Sequence, residues 1–145
     1  MPTILHKSFS LSWRGKPPHM LATDVPVWYR FLDSHQIEFQ DLHYDCLLGA
    51  PALAPEEELD PLRKMWRFNI SKRADVIAVT PAHVWIIEVA DDPGLRALGQ
   101  LHVYHSLWLQ DPVINLPERL ILVCERIDPH LLDAAIQHGV TVYVI

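Results

Sequence analysis

Residues 72–92 read KRADVIAVTPAHVWIIEVADD, and this stretch decides the fold. Two apolar segments, 74–80 and 83–89, flank Pro81 and Ala82 at the spacing of a two-residue hairpin turn. In that register Thr80 faces His83, Val79 faces Val84, and the ladder sets Asp75 opposite Glu88. Directly opposed residues have Cβ atoms about 4.5–5.5 Å apart. Two like charges at that distance destabilise a sheet unless a cation, a metal or a shared proton compensates. A hairpin selected for stability alone would not carry this pair. Both faces are apolar: Ile77, Val79, Val84 and Ile86 on one, Val76, Ala78, Trp85, Ile87 and Val89 on the other. That pattern predicts a sheet covered on both sides.

Working outward, Asp24 predicts a helix N-cap, with Pro26 in the first turn and the helix running to about residue 34. Residues 37–48 read as a strand with imperfect alternation, 49–55 as a Pro/Ala loop, and 56–70 as a helix with acids first and bases last, as the helix dipole prefers. After the hairpin, Asp91 and Asp92 predict an N-cap and Pro93 a first-turn residue. The helical stripe that follows is Leu95, Leu98, Leu101 or His102, His105 and Trp108. Residues 119–125 predict a strand, Asp128-Pro129 opens a helix that Gly139 closes, and 140–145 predict a last strand. The order αβ(α)ββαβαβ implies an α/β protein, a mixed central sheet with flanking helices. Residues 1–22, with three prolines and Gly15, read as an irregular arm anchored by Leu5, Phe9, Leu11 and Trp13; residues 23–145 read as one domain.

Half of the residues are hydrophobic, which argues for a packed core rather than disorder. A net charge of −6 speaks against a general nucleic-acid binder and leaves only the local cluster Arg63, Lys64, Arg67, Lys72 and Arg73 for such a role. Cys46 and Cys124 lie in apolar runs and read as buried free thiols. The opening MPTILHKSFSLSWRGKPPHM has no continuous apolar stretch of signal-peptide type, and no run approaches the roughly 18 residues of a membrane span. The expectation is a protein of a reducing, intracellular compartment, with no membrane partner. His102 and His105 share a helical face, but without a Cys or acid at supporting spacing they read as a surface or boundary pair rather than a zinc site.

Residues 73–104, RADVIAVTPAHVWIIEVADDPGLRALGQLHVY, resemble the PD-(D/E)xK nuclease superfamily, in particular its small phage-encoded members. There an Asp opens the second strand, a Glu-x-Lys ends the third, and a helix with Gly-Gln and a later Tyr follows. The resemblance runs from Asp75 to the C-terminal residue and more weakly through 24–48. It implies a restriction-endonuclease-like core, αβββαβ, extended by a C-terminal helix and strand. It also implies Asp75 and Glu88 as ligands of Mg²⁺ or Mn²⁺, the Val89 carbonyl as a further oxygen, and Gln100 and Tyr104 on the bordering helix. The family's lysine falls on Ala90, which neither positions water nor stabilises charge on a phosphate.

Extending the ladder outward sets Arg73 opposite Ala90, on the face of the two acids, where it would neutralise them or contact a phosphate. Lys72 points to the other face unless a bulge reverses it, and Lys64 is a further substitute. Asp33, Glu38 and Asp45 compete as a third ligand. Two functions follow from the resemblance. One is a nuclease-fold protein with an incomplete centre, acting in binding or in virion or DNA-packaging assembly. It would have phage structural proteins and further copies of itself as partners, docked through Phe9 and Trp13. The other is a Mg²⁺-dependent DNA endonuclease with a relocated basic residue. Asp75 and Glu88 as a structural ion set with Arg73 is the plainer alternative to metal binding.

Overall fold

The computed structural model describes residues 2–145. Its elements are α1 (Val25–Ser34), β1 (Asp41–Leu48), a short 3-10 turn (Glu57–Leu59), α2 (Pro61–Ile70), β2 (Lys72–Val79), β3 (Val84–Ala90), α3 (Leu95–Gln110), β4 (Glu118–Cys124), α4 (Pro129–Gln137) and β5 (Val140–Val144). The five strands form one sheet in sequence order. β1, β2 and β3 are antiparallel neighbours, whereas β4 and β5 join in parallel through α3 and α4. This is the mixed α/β sheet expected from the element order.

The hairpin register is the expected one: Val79 pairs with Val84, Ala78 with Trp85, Ile77 with Ile86 and Val76 with Ile87. Its two apolar faces feed two cores. Trp28 and Phe31 of α1 pack with Val76, Trp85, Ile87 and Val89 on one side. Leu101, Tyr104 and Trp108 of α3 pack with Ile77, Ile86 and Leu122 on the other. Each large apolar side chain buried in this way contributes about 1.5–3 kcal/mol of transfer free energy. Cys46 and Cys124 are free and buried, as their apolar surroundings predict. Among the described residues no helix is long and apolar enough to cross a membrane.

Several local expectations give way to longer-range effects. The helix expected over 56–70 breaks at Asp60, which is extended because Pro61 follows it; Asp60 then caps α2 by accepting from the Leu62 amide at 2.9 Å. The acids at 91 and 92 do not cap α3. Gly94 is its N-cap, Pro93 precedes it, and the Asp91 carbonyl instead accepts the Glu125 and Arg126 amides. The buried stripe of α3 is therefore Ala97, Leu101, Tyr104 and Trp108, and Leu95 is exposed. The N-terminal arm lies along the free edge of β1 through the bridges Ile4↔Leu47 and Phe9↔Leu42. Phe9 meets Tyr44 edge-on and Trp13 meets it tilted, ring centroids 5.1 and 5.9 Å away, so both pack half-buried against the core.

Candidate functional site

The site begins where the hairpin ladder opens. The regular β2–β3 pairing ends at Val76↔Ile87, so the next positions, Asp75 and Glu88, stand side by side at the mouth of the hairpin. Asp75 Oδ2 accepts the backbone N–H of Val89 at 2.8 Å. Glu88 Oε2 is fully shielded and has no hydrogen-bond partner. The two carboxyls are close enough to share a proton, with Glu88 the natural donor. Burial and the neighbouring Asp75 charge push the Glu88 carboxyl well above the ordinary range. Burial raises Asp75 too, against the Val89 hydrogen bond that lowers it.

A third carboxylate, Asp24, joins this pair from the start of α1. Its side chain does not cap the helix as its position predicts. It accepts the Asp91 amide at 3.0 Å and so ties α1 to the end of β3. Asp24 is 7% exposed. Its charge raises both Asp75 and Glu88, and burial raises Asp24 itself. The only sequence signal for this role was the acid before Val25-Pro26, which reads equally as a cap.

On the opposite side of the pair lies Tyr104. Burial, then the charges of Glu88 and Asp75, push its phenol well above its usual value. Tyr104 also lines a cavity of about 360 Å³ together with Lys72, Arg96, Gly99, Gln100 and Val103. The cavity wall thus carries two cations, an amide and a phenol. Gln100 and Tyr104 line this space, whose lining includes neither Asp75 nor Glu88.

The two basic candidates change places. The β1–β2 ladder passes from Tyr44↔Val76 to Cys46↔Ala74, omitting the Asp45/Asp75 step, and Asp45 has φ 53°, in the left-handed region. Arg73 pairs in the ladder with Leu47 on β1 rather than with Ala90. Its guanidinium lies over the Phe68 ring at 4.5 Å and 3.6 Å from Asp45 Oδ1. Lys72 is the cation that lines the cavity with Tyr104. Lys64 lies exposed on α2.

Of the remaining acids, Asp33 forms a surface ion pair with Arg14 at 2.7 Å, and Glu38 lines a separate groove with Leu32 and His35. Asp45 is buried next to Arg73 and His19, close enough to raise Asp75 slightly. His105 binds Glu118 at 2.9 Å, while His102 faces His138 with centroids 5.8 Å apart, so the two do not act as a chelating pair.

The donor set suits a small hard cation. Mg²⁺ takes oxygen ligands and is commonly held by one or two carboxylates, with water and phosphate completing its shell. Glu88 offers a shielded oxygen without a donor and Asp75 a second carboxylate beside it. Among the described residues no group of three or more His, Cys, Asp or Glu side chains is arranged to hold a metal, so the fit rests on this pair. No protein-family model, no curated protein and no solved structure matches the chain.

Proposed function

We propose that the buried Asp75–Glu88 pair, with the neighbouring cavity lined by Lys72, Gln100 and Tyr104, is a divalent-cation and phosphodiester site of the PD-(D/E)xK kind on a restriction-endonuclease-like core, with Lys72 in place of the lysine that Ala90 lacks. The chain would then be a metal-dependent DNA endonuclease. One observation carries this reading: Glu88 holds a shielded carboxylate oxygen without a partner, directly beside a second carboxylate. Two buried carboxyls side by side cost stability once both ionise, and a bound cation removes that cost. Mg²⁺ or Mn²⁺ bound there would polarise a phosphoryl oxygen and lower the pKa of an attacking water.

The chain's own groups have separate tasks in this reading. Asp75 and Glu88 hold the cation, and the Val89 amide fixes the orientation of Asp75. Lys72 and Arg96, across the cavity wall, meet phosphate charge, and Gln100 and Tyr104 offer hydrogen bonds to a strand lying in the cavity. Arg73 is engaged with Asp45 and Phe68 and serves to balance the buried acids.

A second reading keeps the site for binding alone, as a nuclease-fold protein in a virion or DNA-packaging assembly. Ala90 favours it, as does the neutralisation of the basic run: Arg63 pairs with Glu57 and Arg67 with Glu58 inside the chain. Incubation of supercoiled DNA with the protein and Mg²⁺ or Mn²⁺ separates the two. Cleavage that is lost in Glu88→Ala and reduced at least about 10-fold in Lys72→Ala supports the enzyme. Calorimetric cation binding without cleavage across metals and salts supports the binding protein, and absence of both rejects the site.

A further inference from the structure

α2 is built inside out. Leu62, Met65, Trp66 and Ile70 recur at the three- and four-residue spacing of the apolar stripe that a helix normally turns to its core. Here that stripe faces outward: the four residues are 74%, 60%, 44% and 49% exposed, and Leu59, just ahead of the helix, is 85% exposed. The inward face carries Arg67 instead, its guanidinium bound by Glu58 Oε1 at 2.6 Å. α2 packs chiefly on the 3-10 turn before it rather than on a strand. Transfer free energy favours the reverse orientation for a helix on its own fold. A contiguous apolar patch of this kind, rimmed by charge, marks an interaction surface.

The charge pattern along the helix selects the occupant. Glu56 and Asp60, both exposed, precede the stripe and the exposed Lys72 stands beyond its end, whereas Glu57 and Glu58 are engaged within the chain by Arg63 and Arg67. A second copy laid antiparallel on the first brings acidic end to basic end and opposes the two helix dipoles. A parallel pair would bring like ends together. The stripe is also symmetric about Trp66: Leu62 and Ile70 lie four residues to either side, so each meets the other across a two-fold axis.

We propose that the outward face of α2 is a homodimer interface, with two copies antiparallel about a two-fold axis at Trp66. This inference does not rest on the nuclease reading. One helical face is small against the roughly 800 Å² per copy of a standard interface, so the expected dimer is weak, with a micromolar Kd.

Sedimentation of the full chain from about 1 to 200 μM tests it. The expected result is reversible dimerisation, weakened at least about 30-fold in Met65→Asp, with far-UV circular dichroism unchanged in this exposed-site variant. Oxidative cross-linking fixes the arrangement. Trp66→Cys alone forms a disulfide dimer, Leu62→Cys alone does not, and Leu62→Cys mixed with Ile70→Cys does. A wild-type monomer throughout the range overturns the proposal. So does a dimer insensitive to Met65→Asp, or cross-linking of Leu62→Cys with itself.

Discussion

The Val89 amide donates to Asp75 Oδ2 at 2.8 Å across the open end of the hairpin, where the β2–β3 ladder has stopped at Val76↔Ile87. A side chain of one strand thus closes the backbone of the other. The same bond orients Asp75 and leaves Glu88, one residue earlier on β3, facing it with a shielded oxygen unpaired. Stability and chemistry are opposed at this point, and substitutions separate them.

Asp75→Ala removes the acceptor and leaves the Val89 amide without its partner. We expect a loss of about 1–3 kcal/mol in denaturant unfolding. Asp75→Asn keeps an oxygen acceptor and loses less stability, yet both variants lose cation binding by calorimetry. Equal stability of the Ala and Asn variants would show that the amide bond contributes little.

Glu88 has the opposite sign. Its folded-state pKa is raised by burial and by the Asp75 charge, so its contribution is most favourable below the ordinary carboxylate range and is lost as pH rises through the raised value. In chelator-treated buffer the wild type should therefore lose stability between about pH 5 and pH 8, and Glu88→Gln should flatten that slope. At about pH 8 the variant should be the more stable by about 1–2 kcal/mol. Thermal melts at the two pH values check this, and parallel slopes for the two proteins would contradict it.

Asp24 sits at an N-cap position but bonds the Asp91 amide instead of its own helix. Asp24→Ser, a good capping residue, should consequently fail to preserve stability, at a cost of about 1 kcal/mol. Full retention of stability by the serine variant would restore the capping role.

In the core beneath α1, the Trp28 indole N–H donates to the Tyr44 hydroxyl at 2.9 Å in a buried setting. Tyr44→Phe leaves that N–H unsatisfied and should cost about 1–3 kcal/mol, with a shift in Trp fluorescence.

Two glycines should respond in opposite directions to alanine. Gly49 has φ 64°, and an added Cβ would come within 2.8 Å of Leu107 Cδ2, so Gly49→Ala should destabilise by about 1–2 kcal/mol. Gly99 lies inside α3 with open space where a Cβ would sit, and Gly99→Ala should stabilise by about 0.5–1 kcal/mol. Chemical denaturation of the pair is sufficient.

The carboxylate pair was legible because register is local. A two-residue turn and continuous apolar segments leave one pairing that keeps both faces buried, and a slip of one residue would turn every side chain to the other face. Asp75 and Glu88 follow from that register alone. The sides taken by Lys72 and Arg73 do not, since the β2–β3 ladder has already ended at Val76↔Ile87 and these side chains meet Asp45 and Phe68, or α3, instead.

The sequence by itself determined the element order, the hairpin register, the two-sided burial of the sheet and the buried free thiols, because hydrogen-bond geometry and apolar periodicity act over a few residues. Only the tertiary structure decided that Asp24 meets the end of β3 from 67 residues away, that Lys72 rather than Arg73 lines the cavity, and that α2 turns its apolar face outward. Those outcomes depend on which surfaces remain to be covered once the sheet and its helices have packed, and no local pattern carries that information.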